Sequence, residues 1–436
     1  MALSQASPQG QRDQSPVPFF ELALPPFIVF DFFYGAFYNA LPEGLITPLA
    51  GALFAGQAGL AIISVVGRPS WYRWRLFFMI SALPIIWLIS HLILQHRIDF
   101  PQMLRYLGPV YLGLLVFGHY DKFPVRLIAW GACAAVVWVM IWSATTPLYL
   151  HSNEAVFDEP VPGWWAAVVG NGRLPPYHGG AENPHSSGYM TLAFMLVIHQ
   201  AWVWGVLGFR VAVCFIGMAG LYIIGCFSTQ VLFAAVTYFG VYGIYWSAVP
   251  KFLKIVVGGM FFALLVLVAV ENEERKAAVR NDTDVKLEEL GSGRLGTWIE
   301  RVDIISGRSP AEVWLGTGIG SDNMSSIIWR LKETTSHNTY LTMMIENGIL
   351  GFLLYFGVLI MMMLALGRHG TALFTPLFVT ALIGNGLSLR PMPFMVFFLA
   401  VAICMWGMAR QYQMRQAVAE RQKRAQERHV QSHHGW

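Results

Sequence analysis

Apolar residues fall in long blocks along this chain, with short charged turns between them. Blocks of about 17–25 residues with few charges have the length an α-helix needs to cross a bilayer. Read this way, the sequence predicts about 12 transmembrane helices, over residues 26–42, 46–66, 76–95, 105–120, 125–144, 187–206, 209–227, 230–248, 253–270, 340–366, 371–388 and 392–409. The first is the weakest, being short and carrying Asp31. Ten-residue segments of alternating polarity, the mark of a transmembrane barrel, are not seen. No period of about 20–50 residues repeats, which excludes a solenoid. The expected fold is an all-α polytopic membrane protein.

The blocks divide the chain into a polar segment at 1–25, helices 1–9 over 26–270 with a loop at 145–186, a large loop at 271–339, helices 10–12 over 340–409, and a basic tail at 410–436. Composition agrees. Of the 436 residues, 56% are hydrophobic and 12% charged, and that charge fraction is about half a soluble protein's. Residues 1–25 are proline-rich and lack the basic, apolar and small-residue order of a signal peptide, so the chain is expected to insert whole. Cys133, Cys214, Cys226 and Cys404 all lie in apolar blocks, without metal-ligand spacing, and read as small buried hydrophobes.

The net charge of +4 says less than its placement. Alternate turns carry Arg68, Arg73 and Arg75, then Lys122 and Arg126, Arg210, Lys251 and Lys254, and Arg368; the tail adds Arg410, Arg415, Arg421, Lys423, Arg424 and Arg428. Positive charge collects on the cytoplasmic side, and an even number of spans puts both termini there. The two long loops then face the opposite side. The tail's charge either binds anionic headgroups or only fixes topology. His429, His433 and His434 near its end have no further support as a metal site. Membrane lipids, not nucleic acid, are the expected surroundings.

Loop 145–186 holds Trp164 and Trp165, which either join an interfacial belt or stack on sugar rings. His178 and His185 are seven apart in a turn-rich stretch, with no carboxylate or cysteine spaced to complete a metal site. His185 is kept as a substrate-binding candidate. In loop 271–339, Leu295, Trp298, Ile299, Val302 and Ile305 recur at helical spacing. That face is expected to pack on the membrane domain or to lie at its surface. Arg294, Arg301 and Arg308 are seven apart and share a face if the helix persists, though Gly307 is expected to end it. Gly316, Gly318 and Gly320 form a Gly-x-Gly-x-Gly turn before Asp322-Asn323. No strand precedes that turn, so it is not a nucleotide fingerprint. It is expected to be a flexible connector whose amides can approach a ligand.

Everything converges on Ser336–Gly351, where the polar loop meets an apolar helix. His337 sits at the junction and Glu346 nine residues on, about 13 Å along a helix. An imidazole at such a boundary can accept a proton near working pH, or it can simply anchor the helix end. A carboxylate within an apolar span needs a partner or a role.

These residues resemble a known family. Arg294 before an amphipathic Trp298 segment, Leu315-Gly316-Thr317-Gly318-Ile319-Gly320, then His337-Asn338-Thr339-Tyr340-Leu341 and Glu346-Asn347-Gly348-Ile349-Leu350-Gly351 resemble the O-antigen ligase and polymerase superfamily of lipopolysaccharide biosynthesis. The resemblance covers about 290–352. It implies a glycosyltransferase C-type-like fold with a large periplasmic loop between helices 9 and 10, in the bacterial inner membrane. It also implies transfer of glycan from undecaprenyl pyrophosphate to an acceptor, by inversion, without metal or other cofactor. A ligase would use the lipid A–core as acceptor. On the resemblance, His337 activates the acceptor hydroxyl and Arg294 binds pyrophosphate, for which a guanidinium is suited by its fixed charge and bidentate geometry. Arg390, ahead of Pro391, is a second phosphate candidate or a snorkelling arginine. Asn338 and Tyr340 are expected to orient His337 or contact sugar. Arg301 and Arg308 are weaker candidates that a solvated loop face also explains. Where the family often carries an arginine after a serine-rich turn, this chain has Gln230. Length and one dominant late loop favour a ligase, while loop 145–186 keeps a polymerase open. A transporter or flippase, the non-enzyme alternative, would need more intramembrane charge than Asp31 and Glu346.

Overall fold

A computed structural model of the chain describes residues 48, 52, 55–56, 59–60, 62–63, 71–94, 100–145, 184–226, 228–246, 294–326, 332–334, 336–384, 386 and 391–433. Some side chains at element ends are not described, those of His185 and Arg294 among them. The predicted spans 26–42 and 253–270, most of 46–66, most of loop 145–186, the segment 271–293 and Arg390 lie outside the described residues.

The elements in order are α1 (Trp71–Leu94), α2 (Phe100–His119), a 3-10 turn at Tyr120–Lys122, α3 (Val125–Thr145), α4 (Pro184–Val203), α5 (Phe209–Gly225) and α6 (Thr229–Trp246). The loop supplies α7 (Arg294–Ser306), α8 (Pro310–Leu315) and an antiparallel hairpin of β1 (Met324–Ser326) with β2 (Lys332–Thr334). Then come α9 (Thr339–Ala365), α10 (Arg368–Ile383) and α11 (Pro391–His433).

Two helices form the centre of the bundle. Residues Leu192–Ile198 of α4 and Phe394–Met405 of α11 are buried without a break, so every face of each helix meets protein. They pack on one another, α11 also on α2, and α4 also on α3 and α5. A second layer joins α10 to α6 and α9 to α1 and α10. The outer helices turn large apolar side chains outward: Phe78, Leu92 and Ile93 on α1, Leu127 and Trp130 on α3, Phe209 and Leu221 on α5. A belt of that size is a liability in water and is at home in hydrocarbon. Three stretches, Phe77–Leu94, Thr339–Ala365 and Pro393–Glu427, are long and apolar enough to cross a membrane, and Val125–Ile141, Phe209–Gly225 and Gln230–Tyr245 are shorter apolar helices. The chain is built as a helical membrane protein.

Three local features go beyond what the sequence pattern shows. The apolar block 340–366 is not one regular helix, because Gly348 takes φ 61° and ψ −173° in its middle. The amphipathic segment is helical as expected, but Thr297 and Arg301 turn inward while Ile299 and Val302 are about half exposed. The basic tail continues α11 without a break as far as His433. No glycine or proline follows Gly407 within it, and glutamine, arginine, alanine and glutamate are good helix formers.

Candidate functional site

The loop and the start of α9 fold together through two glycines. Gly316 (φ 77°) and Gly348 (φ 61°) lie back to back. A Cβ on Gly316 would come 2.3 Å from the Glu346 carbonyl oxygen, and one on Gly348 would come 2.4 Å from that of Trp314. With ψ near 180° at both, each occupies a backbone region essentially reserved for glycine. A break in a helix frees carbonyls of the turn before it. Here the loop takes them up. Thr317 N–H donates to the Ile345 carbonyl at 2.9 Å and Gly318 N–H to that of Glu346 at 3.0 Å. The Thr317 hydroxyl and the Arg308 guanidinium also donate to the Ile345 carbonyl, each at 3.0 Å. The Glu346 carboxylate accepts from Gly320 N–H at 2.9 Å. From α1, Trp87 donates to the Asn347 side chain and Ser90 to the Gly316 carbonyl at 3.3 Å.

The Gly-x-Gly-x-Gly turn is therefore a strap, not a flexible connector. Its amides at 317, 318 and 320 bind α9 rather than a ligand. Before it, α8 starts with a capping box between Ser309 and Glu312 and a proline in its first turn, which fixes the angle at which the chain arrives.

At the top of α9, Ser336 uses every polar group it has. Its N–H and hydroxyl donate to Asp322 Oδ2 at 2.9 and 2.8 Å, and its carbonyl accepts from Trp298 Nε1 at 2.7 Å. Its Oγ also accepts from Asn338 N–H at 3.3 Å. Thr342 donates to the same Asp322 oxygen at 2.6 Å, and Arg301 Nε lies 3.6 Å from the other. Both Asp322 and Arg301 are fully buried. Burial pushes the Asp322 carboxyl above its ordinary value, against the opposing pull of Thr342, Ser336 and Arg301. Burial likewise lowers the Arg308 guanidinium, with Glu312 and Asp322 opposing.

His337 stands between Ser336 and Asn338, half-buried, with φ 49°. It is the one non-glycine residue in the left-handed region among the described residues. Histidine tolerates this better than most, yet such backbones gather at functional sites. Asn338 caps α9: its Oδ1 accepts from Tyr340 and Leu341 N–H at 3.0 and 3.2 Å, and its Nδ2 donates to the Leu382 carbonyl at 3.0 Å. Thr339 N–H donates to the Gly384 carbonyl at 3.3 Å, and its hydroxyl accepts from Gly386 N–H at 2.9 Å. Helix starts and helix ends are thus clamped together beside His337. Gln230, at the start of α6, presses on Gly384 and accepts from Tyr189 at 3.0 Å.

The site residues expected from sequence are placed as follows. Arg294 opens α7, the helix that carries Trp298 and Arg301 to Ser336 and Asp322. His185 is the second residue of α4. Arg301 faces Asp322 in the interior, so a solvated loop face does not describe it. Arg308 lies past the end of α7, half-buried, and braces the helix break. Tyr340 donates to the Phe378 carbonyl at 3.2 Å and packs on Phe352 and Phe356, which makes it a pin between α9 and α10. Asp322, Ser336, Thr339 and Thr342 were missed. The one signal for them is the Ser-x-Asn pattern ahead of an apolar run, which marks a helix start.

The arrangement offers a half-buried histidine whose two chain neighbours, Ser336 and Asn338, are each tied down by several hydrogen bonds. Such a group can take a proton from a hydroxyl brought to it. Compared with protein-family models the chain matches none, and compared with curated proteins it also matches none.

Proposed function

We propose that this protein is an O-antigen ligase, a membrane glycosyltransferase that moves O-antigen polysaccharide from undecaprenyl pyrophosphate to the lipid A–core. The acceptor hydroxyl attacks the anomeric carbon of the donor sugar, with inversion. The bond to the pyrophosphate oxygen breaks, undecaprenyl pyrophosphate leaves, and the hydroxyl proton passes to His337. The pyrophosphate is already a good leaving group, so the site needs a base and cations more than an acid. Arg294 and Arg390 supply the cations. The glutamine at 230 places more of that charge on them.

The observation that carries the reading is the strained backbone of His337 at the boundary between a polar loop and an apolar helix. Backbone strain at a single residue of suitable chemistry is the pattern expected of a site held ready for reaction. In this reading the bundle has about twelve spans, and the end bearing His337 faces the periplasm, where both the lipid-linked glycan and the core are found.

Lipopolysaccharide from a strain lacking the protein tests it. A ligase loss leaves core without O-chain while lipid-linked polymer accumulates; core bearing a single repeat unit would instead identify a polymerase, and undiminished O-chain would reject both. Restoring the strain with His337→Ala is expected to give inserted protein and transfer lower by about 10²–10⁴-fold, the usual worth of a general base.

A further inference from the structure

The Asp322 carboxylate is buried beside the site, and its partners bracket one residue. Ser336, immediately before His337, gives it two hydrogen bonds at 2.9 and 2.8 Å; Thr342, in the first turn of α9, gives a third at 2.6 Å. All three reach one oxygen, and Arg301 faces the other at 3.6 Å. Ser336 Oγ in turn receives Asn338 N–H at 3.3 Å, which closes the loop on the far side of His337. Asp322 itself sits at the end of the strap, two residues beyond the Gly320 amide held by Glu346.

We propose that Asp322 is a positioning residue: by tying Ser336 and Thr342 to one buried oxygen opposite Arg301, it holds His337 in its left-handed backbone and fixes the direction of its imidazole. Left-handed geometry at a residue with a Cβ is unfavourable and relaxes unless its surroundings over-determine it. Three donors on a single acceptor atom provide that constraint. A buried charge pair is a poor source of stability compared with apolar residues of the same volume. Its value lies in direction, because each donor's hydrogen bond weakens steeply as it departs from linear. Neither Asp322 nor Arg301 is accessible to substrate, so any effect on transfer passes through His337.

The part of this inference that concerns transfer rests on the proposed function; the part that concerns His337 geometry does not. The test therefore uses two readouts on the full-length protein in membranes. The first is the rate at which diethyl pyrocarbonate modifies His337, followed by mass spectrometry with His429 as internal reference. Asp322→Asn is expected to change that rate by about fivefold or more, the population change that follows release of a left-handed residue. The second readout is glycan transfer, where kcat is expected to fall with the donor KM within about twofold, since no ground-state contact is removed. Thr342→Val deletes a single hydroxyl at nearly constant shape and is expected to move both readouts in the same direction by less. It keeps the test usable if Asp322→Asn does not fold. Unchanged His337 modification in folded Thr342→Val and Asp322→Asn would overturn the proposal. A protein that transfers no glycan, yet whose His337 modification answers to Asp322, would remove the ligase reading and leave the positioning role intact.

Discussion

At the scale of single residues, charge and burial decide what each polar group near the site can do. Arg294 and Arg301 share a helix: Arg301 is sealed inside against Asp322, while Arg294 is the first residue of α7. In the proposed reaction Arg294→Ala lowers transfer by about 10²–10³-fold, as loss of a charge-stabilising donor does. Arg294→Lys keeps the charge without the planar fork and falls between the two. Equal, wild-type rates for both variants would remove Arg294 from the site. Asp322 makes a separate prediction about stability. Its pKa in the folded protein is raised above the ordinary 3.8. The folded state then holds this proton more tightly than the unfolded chain. The stability it contributes is fully present below pH 3.8 and is lost as pH rises through the folded value. Thermal melts of wild type and Asp322→Asn in detergent, taken across that window, are expected to converge or cross as pH rises and to run parallel above it. Parallel behaviour throughout would contradict the shift.

At the scale of elements, the break in α9 is what joins the soluble loop to the membrane helices. Gly348 opens the helix, and the strap from Gly316 to Gly320 fills the opening with its own amides. Gly348→Ala is expected to cost at least about 2 kcal/mol, from the left-handed backbone and a Cβ placed against the Trp314 carbonyl. A lower melting temperature measures the loss, and transfer is expected to fall with it, because the strap leads directly to Asp322. An alanine variant as stable as wild type would mean that the two backbones do not meet. The opposite end of the bundle has its own polar knot. His199 Nδ1 lies 2.7 Å from the Tyr238 hydroxyl, Gln200 donates to that hydroxyl at 2.9 Å, and Trp204 donates to Gln200 at 3.2 Å. Hydrogen bonds of this kind fix the rotation of α4 against α6 and contribute little more than about 1 kcal/mol each.

At the scale of the whole molecule, a central pair of helices is wrapped by others whose outward faces are apolar, and a rigid rod leaves one end. The Arg410 guanidinium lies 5.3 Å from the centre of the Trp406 ring, a pairing suited to a membrane boundary. Beyond it α11 continues to His433, roughly 35 Å at helical rise. The proposed orientation puts that rod in the cytoplasm and His337 outside. Cysteine labelling checks this in a background with the four native cysteines replaced. Asn323→Cys is expected to react with an impermeant maleimide in spheroplasts, and Glu420→Cys only after permeabilisation. The reverse pattern would defeat the transfer reaction, since neither glycan lipid nor core would reach His337.

The sequence by itself determined the class of the protein and most of the helices among the described residues. Long apolar blocks have one stable solution in lipid, because backbone groups there must be satisfied within the segment. The predicted blocks at 76–95, 125–144 and 209–227 accordingly coincide with α1, α3 and α5 to within a few residues. The junction at Ser336–Asn338 was legible too, as a helix start with a histidine beside it. The tertiary structure alone decided which helices are central, since Leu192–Ile198 and Phe394–Met405 read like any lipid-facing run. Apolar side chains look the same whether they meet lipid or protein. It alone decided that Arg301 points inward and that Gly348 interrupts α9, because both depend on groups distant in sequence. A buried charge needs its partner, and a broken helix needs donors for its carbonyls; Asp322 and the strap are found only once the chain has folded back on itself.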